Sequence, residues 1–244
     1  IKHHFIQNLS IEDNYSIGQF ERDALAKIEA LHKKNNVVVM VGGSGMYIDA
    51  VCKGLDDFPL VPNSIREELN LRHQNEGLDA LKEELMKLDP DYHELVDSSN
   101  PHRIIRAIEV CMVSGKPFSS FRKQQAKKRN FKTVKIILNR EREELYSRIN
   151  KRVDKMMTEG LLEEVKKLYD YKDYNALQTV GYKELIAYFD GEWDLETAIE
   201  EIKKNTRRYA KRQMTWFRRD PSNHFFKPEN ESEIMAYLKE NITN

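Results

Sequence analysis

Cysteine is nearly absent from this chain: two in 244 residues, Cys52 and Cys111, without a C-x-x-C spacing. That argues against a disulfide scaffold or a structural zinc site and fits a reducing cytoplasm, with both thiols read as small buried side chains. No apolar run approaches roughly eighteen residues, the length of a membrane-spanning helix, and no signal-peptide pattern precedes the first expected element. Net charge is missing too. Forty basic and forty acidic side chains cancel, so any nucleic-acid affinity has to come from local patches rather than from the overall field. There is no internal repeat and no low-complexity segment. His3 and His4 are adjacent, point different ways and have no third ligand in view, so no metal site is expected in this chain. What is left is a globular composition, 40% hydrophobic, long enough for one large core or two small ones.

Charge is locally unbalanced in one stretch, residues 203–219, KKNTRRYAKRQMTWFRR, with eight Lys or Arg and no acid in seventeen residues. At helical spacing Ile199, Ile202, Thr206, Tyr209, Gln213 and Trp216 fall on one side. Lys203, Lys204, Arg207, Arg208, Lys211 and Arg218 form a broad basic flank. A solvated charged helix is the commonplace alternative. It is disfavoured because no acid interleaves, so like charges repel unless something neutralises them. Phosphate suits this flank: Arg offers a planar fork of donors, and Lys adds point charge.

Along the chain, Ser16 reads as the cap of a helix carrying Phe20, Ala24, Ile28 and Leu31 on one face, with Asn14 and Tyr15 just before it. Val37–Val41 is a continuous apolar run of strand length, the pattern of a strand buried on both faces in a parallel sheet. Gly42-Gly43-Ser44-Gly45 then turns the chain into a helical pattern over Met46–Lys53. Strand, glycine-rich turn and helix in that order is α/β grammar, and ligands sit at the carboxyl ends of such strands. Pro59 and Pro62 mark a change of character. Helical segments are expected over Ser64–Asn75, Leu78–Leu88, a short piece capped by Asp89-Pro90, and His102–Val113, stopped by Gly115 and Pro117. Thr133–Leu138 returns to the buried-strand pattern and Arg140–Met157 to the helical one. A late strand at Phe225-Phe226 and a helix over Ser232–Ile242 complete the expected order. The domain reading is a core of residues 1–61 and 126–244, carrying the basic helix, with an all-helical insertion at 62–125.

Three further places could carry chemistry. The Val41-Gly-Gly-Ser-Gly turn could cradle a phosphate with backbone N–H groups, though it is neither a P-loop nor a G-x-G-x-x-G and reads locally as a tight turn. Asn100-Pro-His-Arg-Ile-Ile-Arg sets Arg103 and Arg106 on one helical face beside His102. Read locally, those arginines stand in the first turns of a helix and pair with Glu or the carboxylates of the insertion. Gln178-Thr-Val-Gly-Tyr-Lys183 supplies a turn, an aromatic ring and a cation, suited to unstacked RNA or to a helix entry with a buried Tyr182. Trp216 and Phe217 read as core side chains rather than stacking platforms.

Thr206-Arg-Arg-Tyr-Ala-Lys-Arg-Gln-Met-Thr-Trp-Phe-Arg resembles the C-terminal signature of the tRNA dimethylallyltransferases, also called tRNA isopentenyl transferases. HHFIQNLSIEDNYSIGQFERDA, VVVMVGGSGMYIDAVCKGL, NPHRIIRAIEVCMVSGKP, LYSRINKRVDKMMTEGL and QTVGYKEL resemble further family segments in the same order, so the likeness covers nearly the whole chain. It implies a P-loop NTPase-like parallel sheet core with an all-helical insertion, in a cytoplasmic and monomeric enzyme. The activity implied is transfer of a dimethylallyl group from dimethylallyl diphosphate to N6 of the adenosine just 3′ of a tRNA anticodon. Ser44 stands where the family normally has Thr, in the reaction channel near the acceptor adenine, and Arg152 matches the arginine that contacts the diphosphate. By the same likeness Arg66, His102, Arg103, Ile104, Ile105 and Arg106 meet the tRNA, with His102 replacing the Gln of most bacterial relatives. Gln178, Thr179, Val180, Gly181, Tyr182 and Lys183 meet it as well, as do Arg207, Arg208, Lys211 and Arg212. The resemblance also implies Mg²⁺, held mainly through a P-loop. That P-loop and the Asp acting on the adenine amine are not found in these residues, so a first βαβ unit is expected to be lacking and the chain as written is expected not to turn over. A small-molecule kinase, indifferent to tRNA, and an RNA-binding module without activity are the competing readings.

Overall fold

The computed structural model describes every residue except Asn14, Gln124, Thr243 and Asn244. It divides into two compact units, residues 1–52 with 130–244 and residues 53–129. Helix α1 spans Ile17–His32. Ser16 caps it by accepting from the Gln19 N–H, and Ala24 is its buried residue; Asn14, just before the cap, lies outside the described residues. Helix α2, Gly45–Cys52, packs on α1 through an edge-to-face contact of Phe20 with Tyr47 at 5.0 Å.

Between them the expected strand Val37–Val41 does not form. No strand pairing involves it among the described residues, and all its side chains but the half-buried Val38 are exposed, Val39 at 78% and Val41 at 90%. A run of β-branched residues favours extended backbone, but a strand exists only where a neighbour completes its ladder and apolar burial only where something covers its faces.

The second unit is helical. α3, Asn63–Leu88, joins the two expected segments into one element bent at Gly77, whose φ of 83° only glycine adopts easily. The short α4, Pro90–Leu95, is capped by Asp89, and α5, Pro101–Ser114, is capped by Asn100 and ends at Gly115. Leu69, Leu81 and Leu85 of α3 close on Ile104, Ile108 and Val110 of α5 to form the core. Each fully buried aliphatic side chain contributes about 1.5–3 kcal/mol.

Back in the first unit, β1 covers only Ile136–Leu138 of the expected 133–138. It pairs in parallel with β2, His224–Phe226, Ile137 lying opposite Phe225. Between them in sequence come α6 (Arg142–Thr158), α7 (Leu161–Lys167), α8 (Tyr182–Phe189) and α9 (Leu195–Phe217), and α10 (Glu231–Ile242) follows β2. Val153 of α6, Val165 of α7, Leu185 of α8 and Ile202 of α9 meet in this unit's helical core. The chain is thus mostly helical α/β with a small parallel sheet, and Cys52 is only half-buried whereas Cys111 is in the core.

Asp89 is a buried polar group of the second unit that ties three donors together. Its carboxylate accepts from the Tyr92 N–H at 3.0 Å, the Ser119 N–H at 2.6 Å and the Ser119 hydroxyl at 3.0 Å. Removing it uncaps α4 and strands two donors. Asp89→Ala is expected to destabilise by about 2–3 kcal/mol, read as a lower urea midpoint at unchanged slope, with Asp89→Asn recovering part of the loss.

Candidate functional site

Ser44 sits at the mouth of α2, half-buried, and its hydroxyl has no hydrogen-bond partner among the described residues. Its backbone is well held: the Ser44 carbonyl accepts from the Ile48 N–H at 3.1 Å. On one side of the turn lies α9. Gln213 Nε2 donates to the Gly43 carbonyl at 2.7 Å, and Trp216 Nε1 donates to Asp49 Oδ2 at 3.0 Å. A Cβ on Gly43 would fall 2.2 Å from Gln213 Nε2, and one on Gly45 2.2 Å from Trp216 Cδ1. At Gly45 the rigid indole leaves room for glycine alone, whereas at Gly43 a side chain would push the flexible Gln213 amide aside. Lys135, just before β1, reaches Asp49 at 3.8 Å and Asp220 at 3.5 Å. Gln213 and Trp216 were legible in the sequence only as members of a mixed apolar side; nothing in a lone sequence says that this side meets the glycine turn.

The rest of α9 is sorted by what lies beside it. Lys203 is bound by Asp154 at 2.8 Å and Glu200 at 2.9 Å, which raises its pKa, and Lys204 is bound by Glu201 at 2.6 Å. Arg207 donates to Asn150 Oδ1 at 2.7 Å. The expectation that the run lacks neutralising acids is therefore corrected for its first turn, because Glu200 and Glu201 lie one turn earlier and Asp154 comes from α6. Arg208, Lys211 and Arg212 are exposed and have no carboxylate partner among the described residues. Tyr209, expected on the inner side, is exposed beneath the Arg212 guanidinium.

Arg152 is exposed on α6 beside the buried Val153, again with no carboxylate partner among the described residues. One turn earlier Arg148 lines a cavity of about 230 Å³ at the carboxyl end of β1, together with Leu138, Arg140, Gln213 and Met214. Arg140 is occupied by Glu144 and Glu229.

The segment 178–183 is anchored by a buried carboxylate. Glu184 accepts from the Gly181 N–H at 2.7 Å and from Asn205 Nδ2 at 2.8 Å, tying the entry of α8 to α9. Gln178 and Thr179 are exposed, Val180 packs against the core, Gly181 is buried and Lys183 is exposed. Tyr182 is half-buried, and its hydroxyl donates to Glu164. Burial and that carboxylate push its pKa up to about 12.

In the second unit, the buried carboxylate of Glu109 takes the guanidinium of Arg66 as a fork, at 2.5 and 2.8 Å, and accepts from Arg106 at 3.2 Å. Burial alone would raise the Glu109 pKa, but the Arg66 and Arg106 pairs outweigh it and hold it below the ordinary value. Ile104 and Ile105 are 0% and 4% exposed in the core. The expectation that their side chains meet RNA is corrected: they are packing residues, and His102 and Arg103 are the exposed members of that segment.

The sequence model of the IPP transferase family matches residues 1–220. The chain belongs to the IPP transferase family. It is 55% identical over 241 residues to the tRNA dimethylallyltransferase of Christiangramia forsetii, across 98% of this chain and 80% of that protein. It is 50% identical over 242 residues to tRNA dimethylallyltransferase 1 of Bacteroides fragilis, across 99% and 80%. Among solved structures it resembles the full-length tRNA isopentenylpyrophosphate transferase of Bacillus halodurans, with a TM-score of 0.67 at 34% identity, over 100% of this chain and 79% of that one. It also resembles a eukaryotic dimethylallyltransferase acting on tRNA, with a TM-score of 0.77 at 25% identity, over 98% and 63%. Within this IPP transferase chain, no group of three or more His, Cys, Asp or Glu able to hold a metal stands together among the described residues. No helix among them is long and apolar enough to cross a membrane.

The Glu109 pair carries a pH signature. A carboxylate whose folded pKa is depressed below 4.5 stabilises above that value and loses its contribution as pH falls through the folded pKa. Glu109→Gln is expected to cost about 2 kcal/mol at pH 7, and the gap from the parent protein should close as urea titrations are repeated below pH 4.5.

Proposed function

We propose that this chain grips tRNA and faces the diphosphate in the transfer of a dimethylallyl group from dimethylallyl diphosphate to N6 of the adenosine 3′ to a tRNA anticodon. Its first unit is read as part of a P-loop NTPase-like core. The observation that carries the proposal is the double use of α9: its inner face hydrogen-bonds the turn bearing Ser44, while its outer face carries the unpaired cations Arg208, Lys211 and Arg212. One rigid helix thus connects a surface suited to phosphate with a polar hydroxyl open to a substrate.

In the reaction, a bond forms between N6 and the allylic carbon as the bond from that carbon to the diphosphate oxygen breaks. The electron pair leaves with the diphosphate, and N6 releases one proton. Arg152 is a guanidinium with its donors free, held on α6 by Val153 and Ile149, and it would stabilise the charge gathering on the departing diphosphate. The Ser44 hydroxyl would accept from, or donate to, the edge of the extruded adenine. His102, Arg103, the exposed members of 178–183 and the α9 cations would hold the RNA backbone and unstacked bases, while Arg66 and Arg106 would act mainly by fixing α5 through Glu109.

Full-length gene product carrying this sequence, given labelled dimethylallyl diphosphate, magnesium and unmodified tRNA, is expected to place label in that adenosine. Arg152→Ala should lower kcat/KM by on the order of 10²–10³ without weakening tRNA binding. Labelling that persists unchanged in that variant would remove Arg152 from the diphosphate site. Alanine at Arg208, Lys211 or Arg212 should instead weaken tRNA binding and flatten its salt dependence by about 0.7–0.9 in log–log slope per lost phosphate contact. A slope that stays fixed would place the RNA elsewhere.

A further inference from the structure

We infer that Gln213, assisted by Trp216, is a positioning residue for the transfer reaction: it sets the Gly43–Ser44 peptide and through it the direction of the Ser44 hydroxyl. The inference rests on the assignment of Ser44 as a substrate contact. Gly42 and Gly43 give the turn little conformational preference of its own, and the Ser44 hydroxyl is held by no side chain among the described residues. What orients it is the backbone, and the backbone is clamped at two points three residues apart on α9. Gln213 holds the carbonyl just before Ser44, and Trp216 lies against Gly45 just after it while donating to Asp49 one turn along α2.

The geometry has a directional consequence. No peptide among the described residues is cis, and in a trans peptide the carbonyl and the N–H point in opposite directions. With the Gly43 carbonyl drawn to Gln213, the Ser44 N–H is directed away from α9. Released from Gln213, the peptide could rotate, carrying both the N–H and the base of the Ser44 side chain with it. A Cβ at 43 would displace the Gln213 amide from where it stands, so the hydrogen bond as formed uses the space that glycine leaves. Gln213 also lines the cavity at the carboxyl end of β1, so its amide stands between that cavity and the turn.

The test is a double-mutant cycle in the full-length enzyme, with Ser44→Ala, Gln213→Met and both together, measuring kcat, KM for tRNA and the thermal midpoint. Methionine keeps the length of the side chain and removes the donor. The expected result is a roughly tenfold or greater loss of kcat for Gln213→Met with KM for tRNA little changed, and almost no further loss when it is added to Ser44→Ala. Losses that multiply in the double variant, or a lower thermal midpoint with kcat preserved, would overturn the positioning role while leaving Ser44 in place. If Ser44→Ala is itself silent, the assignment of Ser44 fails, and Gln213 has nothing to position. Should Gln213→Met not fold, Trp216→Phe, which keeps a ring against Gly45 and removes its N–H, carries the same cycle with the same two outcomes.

Discussion

The inner face of α9 is the constraint on which the rest of the first unit depends. Three side chains on it donate to other elements: Asn205 to Glu184 at the head of α8, Gln213 to Gly43 and Trp216 to Asp49 on α2. Hydrogen bonds of this kind are worth little each in net stability, but leaving the buried Glu184 carboxylate unpaired would be costly, so they fix register more than they add energy. The helix is held by ordinary apolar burial around Ile202 and Ala198 and is aligned by these polar contacts. Because all three partners belong to segments expected to act on substrate, alignment of α9 is alignment of the site.

The same helix resolves its own charge problem by position. Its first basic turn is neutralised by Asp154, Glu200 and Glu201. The following turns leave Arg208, Lys211 and Arg212 exposed and unpaired among the described residues. A helix that carried all its cations unpaired would resist folding; one that paired them all would have no affinity for a polyanion. The second unit makes the opposite choice with Arg66 and Arg106, which spend donors on a buried carboxylate. There the arginines act as structure, locking α3 to α5 so that His102 and Arg103 at the head of α5 are presented from a rigid element.

Much of this was legible from residue order. The caps at Ser16 and Asp89, the stop at Gly115, the helices of the 62–125 region, the late strand at Phe225 and the basic helix all follow from local rules, since capping, glycine punctuation and helical periodicity act within a few residues. The misreadings share one cause. Val37–Val41 has the composition of a buried strand, but a ladder and a cover are properties of neighbours. Ile104 and Ile105 sit in a motif that resembles an RNA-contacting segment, yet apolar side chains follow the core, and only the polar members of that motif face outward. Tyr209 was placed inward by a wheel that could not know where α6 and α2 lie.

The sequence by itself determined the family, through the order of its motifs, together with the helical character of most of the chain and the basic flank of one helix. Those are matters of residue type and short-range spacing. Only the tertiary structure decided which cations are spent on carboxylates and which remain free, and that Gln213 and Trp216 grip the turn around Ser44 from some 170 residues away. Pairings at that separation depend on how whole helices pack, and side-chain identity along one helix does not encode which surface will come to lie against it.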